Sequence, residues 1–315
     1  MLKRYSYLGA AILLSASLPA VAGSTAVQTV DAFEKVFGVT QGERRNHTKG
    51  YCFAATLMPV DKAIQDYSAS LLFQQESAVV GRLSHKGGNA KAADNVPAEY
   101  GMGLSVKLSD GSEHRMSMNT LDFFPVATPQ AFAELMQAKA QGKAAVKAFK
   151  ASSPDLQRFS AHTKQKENPL TPYEGATYNS INSFYLTDAQ GRKTAVRWAF
   201  VPAAPVGITV PEGQDFFYSN MEKNLVAGPV EWNMIVTLAN PGDVVDNAAL
   251  AWEGEHQEIV AARLSVNAIS ATGECGNINY DPLMLSAGFE PSDDPLLQAR
   301  RDAYAVSFGR RLSEQ

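Results

Sequence analysis

The 315-residue chain is 45% hydrophobic and 19% charged, with a formal net charge of -4. That balance suits a globular protein with a substantial core, and it argues against nucleic acid as a partner because there is no basic excess to neutralise phosphates. Two cysteines, Cys52 and Cys275, exclude a disulfide scaffold and permit one bridge; against that bridge stands the position of Cys52 inside an apparently buried strand.

Residues 1–22 carry Lys3 and Arg4, an apolar region between Leu8 and Leu18, then Ala20, Val21 and Ala22 ahead of Gly23. This is the pattern of a cleaved secretory signal. The apolar part is interrupted by Ser15 and Ser17 and is too short to span a bilayer, and no later stretch is long enough. The expectation is an exported, periplasmic protein without stable membrane insertion, whose residues 23–315 form one domain.

From Glu43 to Gly50 the chain reads Glu-Arg-Arg-Asn-His-Thr-Lys-Gly. A histidine among Arg44, Arg45 and Lys49 is held neutral by its neighbours and is able to accept a proton. Taken alone, the segment is equally a solvated basic turn. The apolar run that follows, to Met58, predicts a buried strand, with Gly50 permitting close backbone approach.

Further along, residues 61–73 read as a short helix and residues 78–84 as a strand, followed by a Gly-rich loop to Tyr100. Residues 101–108 and 113–119 flank Asp110-Gly111 as a hairpin. Thr128-Pro129 starts a helix with Phe132, Leu135 and Met136 on one face; an Ala-rich stretch runs on to Lys150, and residues 151–175 read mostly as loop. Strands are predicted at 180–186, 194–201, 230–238 and 259–269. Eight strands joined mainly by hairpins suit an α+β fold: a closed eight-stranded antiparallel β-barrel with surrounding helices, with a sandwich as the competing arrangement.

Asp294-Pro295 opens the longest uninterrupted helical run, to Leu312. With 3.6 residues per turn, Arg300, Tyr304 and Arg311 fall within about 40° of one another on one stripe.

Four segments, taken together, carry a resemblance: Arg44 with His47-Thr-Lys-Gly50, Arg82-Leu-Ser84, Asn119-Thr120, and Pro291 to Tyr304. In this order they resemble the haem catalase family, most closely its small exported catalase-related peroxidases. The resemblance implies a catalase-like haem barrel holding haem b, with Tyr304 as the iron ligand and Arg300 as the cation that stabilises its phenolate; tyrosine ligation in catalase is an established case. It further implies that His47 moves the peroxide proton, that Ser84 fixes the imidazole tautomer and that Asn119 orients the peroxide. Arg44, Arg82 and Arg311 would bind the propionates, with Phe124 and Phe132 near the porphyrin.

Three departures bear on activity. Phe308 stands where large catalases carry a histidine, Asn46 replaces an aliphatic residue beside the distal histidine, and a histidine-containing segment expected before Asn182 is missing. Few residues separate the cleavage site from the His47 strand, and nothing follows the Tyr304 helix. The resemblance therefore implies an exposed haem edge, and with it a monomeric or dimeric peroxidase that reduces hydrogen peroxide with a small organic electron donor and has weak catalase activity. The alternatives are a lipid-hydroperoxide isomerase of allene oxide synthase type and a non-catalytic haem-binding barrel.

Overall fold

The computed structural model describes residues 20–211 and 213–315. Most of the expected signal segment lies outside them; helix α1 (Ala20–Phe37) begins three residues before Gly23. The remaining elements in chain order are β1 (Gly50–Pro59), β2 (Ser77–His85), β3 (Tyr100–Lys107), β4 (Glu113–Asn119), α2 (Pro129–Gln141), α3 (Lys143–Ser152), α4 (Pro154–Gln165), β5 (Tyr178–Asn179), β6 (Phe184–Thr187), β7 (Lys193–Pro202), α5 (Phe217–Ala227), β8 (Val230–Leu238), β9 (Glu258–Ser270), β10 (Phe289–Pro291) and α6 (Pro295–Ser313).

Eight of the strands close into an antiparallel barrel in the order β1-β2-β3-β4-β5-β7-β8-β9, the last returning to β1. Closure removes the free edges that an open sheet would expose. The stave expected from residues 180–186 is divided. Ile181 takes φ 65, a left-handed conformation that a β-branched residue adopts only under tertiary constraint. Only Tyr178–Asn179 joins the ring, bridging Asn119 and Ala199, while β6 pairs outside it with β7 and β10.

Inside the barrel the alternate residues of the strands are mainly apolar and close-packed, with His85 and His114 among them. Trp232, Phe200, Tyr178, Leu57, Leu83 and Leu104 are essentially inaccessible. At about 1.5–3 kcal/mol for each fully buried large side chain, this interior supplies the dominant stabilising contribution.

Register on the outer face arranges the site. One lateral row runs Gly50, Ser84, Gly101, Asn119 and Asn179; the next runs Cys52, Arg82, Gly103 and Ser117. The two rows are two residues apart, so their side chains share a face. Helices α1, α2 and α6 pack together over this side of the barrel. Arg45 pairs with Glu34 at 2.7 Å and with Glu314, and Arg310 pairs with Asp31 at 2.6 Å and Glu34 at 2.8 Å, tying α1, the His47 segment and the end of α6 together.

Several local expectations are corrected. Residues 61–73 form two 3-10 turns, Lys62–Asp66 and Leu71–Phe73, each capped by a side-chain oxygen of Asp61 or Ser70. The stretch 151–175 contains α4, whose polar composition hides a good start: Ser153 accepts from Leu156 N, Pro154 occupies the first turn and Asp155 faces the positive helix end. Cys52 and Cys275 are bridged, with Cα atoms 5.5 Å apart; Cys52 is buried, but the side of β1 it faces receives the Glu274–Asn277 turn. Among the described residues, no helix is long and apolar enough to cross a membrane.

Candidate active site

Between the barrel face and the three helices lies a cavity of about 910 Å³, near the upper end of the range for small-molecule and cofactor sites. His47 and Tyr304 are both on its lining.

His47 sits at φ 59 at the turn into β1. Its backbone is held by the Asn46 side chain, whose Oδ1 accepts from His47 N (3.0 Å) and Gly87 N (2.7 Å). Asn46 therefore fixes the loop through its Oδ1 while also standing on the cavity lining. Two glycines make the imidazole's position possible. A Cβ at Gly50 would lie 2.1 Å from Leu83 O, so β1 and β2 could not approach as they do; a Cβ at Gly101 would lie 2.6 Å from the His47 ring.

Ser84 Oγ lies 3.3 Å from Gly101 O and 3.1 Å from His47 Nδ1. With its proton given to the carbonyl, the serine oxygen accepts from Nδ1–H and leaves Nε2 as the basic atom. The His47 pKa is pushed down to about 3, first by burial and then by Arg82, Lys86, Arg44 and Arg300. A neutral imidazole was expected from Arg44, Arg45 and Lys49, but of these only Arg44 acts on it: Arg45 is turned to Glu34 and Glu314, and Lys49 pairs with Asp94 at 2.7 Å. Asn119 uses its Oδ1 to accept from Leu121 N at 2.9 Å, leaving its amide NH2 as donor on the same lining.

Elsewhere on the lining, Arg300 donates to the Tyr304 hydroxyl at 3.2 Å, one turn away on α6, and Ser117 Oγ lies 2.5 Å from the same hydroxyl. Burial acts to raise the phenol's pKa, but the Arg300 charge, the hydrogen bonds from Ser117 and Arg300 and the more distant Arg44 outweigh it, so the net shift is downward. Arg300 is in turn aimed by Asn182 Oδ1 (2.9 Å), whose NH2 donates to Asp294 Oδ2 (2.9 Å), while Asp294 Oδ1 caps α6 at Leu296 N. Burial raises the Asp294 pKa. Ser117 and the Asn182–Asp294 link were not foreseen. Ser117 lay within reach, since it is two residues from Asn119 and so on the same strand face; the Asn182 link depends on a backbone turn that no local pattern announces.

Arg44, Arg82 and Arg311 also line the cavity. Arg44 donates to Cys275 O and Ile278 O (both 2.9 Å), and Arg82 to His47 O (2.7 Å) and Thr48 O (2.8 Å). Arg311 is 4% exposed, packs over Phe308, and its Nε and one Nη are buried without a partner. Among the described residues no carboxylate pairs with any of the three. Arg82 and Arg311 are each pushed down to about 10, by burial and then by Arg44.

Phe124 and Phe132 line the cavity with ring centroids 5.0 Å apart. Phe33 of α1 meets Phe132 at 6.0 Å, and Val30 and Phe37 join it on the wall. The residues ahead of the His47 strand thus build part of the enclosure, contrary to the expectation of a bare edge. Every expected site residue reaches this cavity.

An antiparallel barrel that brings an Arg-supported tyrosine and a Ser-oriented histidine to one cavity fits the class of the catalases. The solved structures agree on the fold: a fungal catalase (TM-score 0.74, 16% identity), catalase A from Saccharomyces cerevisiae (0.74, 15%) and a bacterial catalase (0.72, 16%) each match 98% of this chain. The chain spans about two thirds of their length, covering 65%, 67% and 64% of them.

The chain belongs to the catalase-related peroxidases. It is 35% identical over 307 residues to the catalase-related peroxidase of Synechococcus elongatus, covering 93% of this chain and 90% of that one. It is 26% identical over 299 residues to that of Mycolicibacterium paratuberculosis, covering 92% and 95%. No protein-family model matches it.

Proposed function

We propose that this protein is an exported, periplasmic haem b peroxidase that reduces hydrogen peroxide with a small organic electron donor and disproportionates peroxide only as a lesser activity. The observation that carries the cofactor assignment is the trio Arg44, Arg82 and Arg311: mutually repelling guanidiniums, two buried and one half-buried, without a carboxylate partner on the lining of the cavity that also holds Tyr304 and His47. Uncompensated buried charge is costly. The two carboxylates of haem would neutralise it, and the Phe124 and Phe132 rings offer apolar surface to a porphyrin. Tyr304 would hold the iron as phenolate, for which its lowered pKa prepares it.

Haem, when bound, supplies a redox-active iron that takes two electrons' worth of oxidation from peroxide. The chain's own residues arrange the proton. His47 Nε2, unprotonated because Nδ1–H is engaged by Ser84, accepts the proton of the near peroxide oxygen. The imidazolium then returns that proton to the far oxygen, so water rather than hydroxide leaves. Its low basicity speeds the return. Asn119 NH2 holds the far oxygen in line. A non-catalytic carrier has no use for this pair.

Donor access is supported by the way the cavity reaches the surface at the ion pair of Lys86 and Glu99, both roughly one-third exposed and both on its lining. The test is to measure oxygen release and oxidation of a phenolic dye on one preparation across a range of peroxide concentrations. Excess dye should suppress oxygen release. Fast release that dye leaves undiminished would make the protein a minimal catalase.

A further inference from the structure

The barrel interior holds a second set of titratable groups that the peroxide chemistry above does not use. Tyr100, on the cavity lining, meets Tyr173 with ring centroids 5.1 Å apart; Tyr173 meets Tyr51 at 5.5 Å, and Tyr51 meets Tyr218 at 5.2 Å. Three of the four are at most 5% exposed, whereas Tyr218, at the start of α5, is half-buried. The series therefore leads from the cavity through the core to the surface.

Phenylalanine would pack these positions at lower cost. The hydroxyls of Tyr51 and Tyr100 are buried with no partner, and a buried hydroxyl without a hydrogen bond is destabilising. Tyr173 is different: its hydroxyl is hydrogen-bonded to His85 Nδ1. His85 Nε2 lies 3.6 Å from Asp94 Oδ1. Asp94 is fully buried, ion-paired to Lys49 at 2.7 Å, and accepts the Phe216 and Phe217 amides at 2.7 and 2.8 Å. A phenol, an imidazole that can take its proton and a carboxylate that can stabilise the resulting cation are the parts needed to oxidise a tyrosine without stranding charge in the core.

We propose that Tyr100, Tyr173, Tyr51 and Tyr218 form an electron relay, with His85 as the proton acceptor of Tyr173, through which donors too large for the cavity reduce the peroxide-oxidised site from the surface at Tyr218. The proposal rests on the peroxidase reading above. In each pass Tyr173 gives one electron toward the cavity through Tyr100 and its proton to His85 Nδ1, becoming a neutral radical. A donor at Tyr218 gives one electron outside-in through Tyr51, and His85 returns the proton to the Tyr173 oxygen, so the relay is restored. Two passes, with two protons from solvent, complete reduction of one hydrogen peroxide to two waters and oxidise two one-electron donors.

The test is rapid-freeze electron paramagnetic resonance of the haem-loaded protein after one equivalent of peroxide without donor, with the visible spectrum recorded in parallel. The expected result is a tyrosyl signal in the wild type that falls at least tenfold in Tyr173→Phe while the initial peroxide-induced change in the visible spectrum keeps its rate. Tyr218→Phe should keep the radical yet slow oxidation of a bulky, polymer-linked phenol more than that of free phenol. A full-size signal in Tyr173→Phe, or a visible change with no tyrosyl signal in the wild type, overturns the relay alone. Absence of any visible change with peroxide overturns the peroxidase reading and the relay with it.

Discussion

Ser84 Oγ lies 3.1 Å from His47 Nδ1 while its own proton points to Gly101 O. One hydroxyl thus decides which imidazole nitrogen is basic, and the row that places it there, Gly50 beside Ser84 beside Gly101, is a matter of strand register. Ser84→Ala should leave haem content unchanged and slow the reaction with peroxide roughly tenfold, within the ~10²–10⁴ that full acid-base assistance supplies. Stopped-flow spectra of the two proteins at one peroxide concentration decide it; equal rates would show that the ring needs no such partner.

Three buried histidines are held neutral: His47 and His114 are each pushed down to about 3 by burial, and His85 to about 4. Their ordinary value is 6.5, so below it the unfolded chain takes up protons that the folded chain refuses. Stability should be flat above about pH 7 and fall as pH drops from 6.5 toward 4, by up to about 1.4 kcal/mol per pH unit for each histidine. Melting temperatures between pH 4 and 8 test the sign. His114→Gln should make the fall shallower by one proton's worth, and the rate with peroxide should show no inflection near pH 6.5.

Arg311 carries buried, unpartnered nitrogens beside two other guanidiniums. Arg311→Leu should therefore leave the haem-free protein as stable as the wild type or more so, because replacing buried charge by apolar volume is neutral to stabilising by about 1–4 kcal/mol in comparable cases. Haem affinity should drop at least tenfold. Haem titration and melting of the apo form, done side by side, check both halves; a less stable apo form with unchanged haem affinity would assign Arg311 to the fold instead.

The bridge between Cys52 and Cys275 closes most of the barrel's chain length and holds the turn whose Cys275 and Ile278 carbonyls accept from Arg44. Cys52→Ser with Cys275→Ser should cost about 2–4 kcal/mol and weaken haem retention through Arg44. Reductant should lower the wild-type melting temperature and leave the double variant unaffected.

What the sequence by itself determined is chemistry tied to short spacing. Tyr304 and Arg300 share a helical stripe because 3.6 residues make a turn; the Asp110-Gly111 hairpin sets β3 against β4; the apolar run after His47 is a buried strand. The four segments in order also carried the resemblance that named ten residues now found on the cavity lining, though not Ser117, Asn182 or the α1 residues beside them. Two helices escaped: α4 is largely polar and buries only Leu156, and the starts of α4 and α5 are fixed by a side-chain cap or by Asp94 from another element.

Only the tertiary structure decided what distant parts of the chain do to one another. The neutral His47 follows from burial and from Arg82, Lys86, Arg44 and Arg300; of the three cations beside it in sequence only Arg44 takes part, while Arg45 and Lys49 are drawn off by Glu34, Glu314 and Asp94. The disulfide, the split stave at Ile181 and the cover of α1 over the cavity have the same origin. Electrostatics and closure act through space, and a linear pattern records only the residue types that take part, not the partners the fold brings within reach.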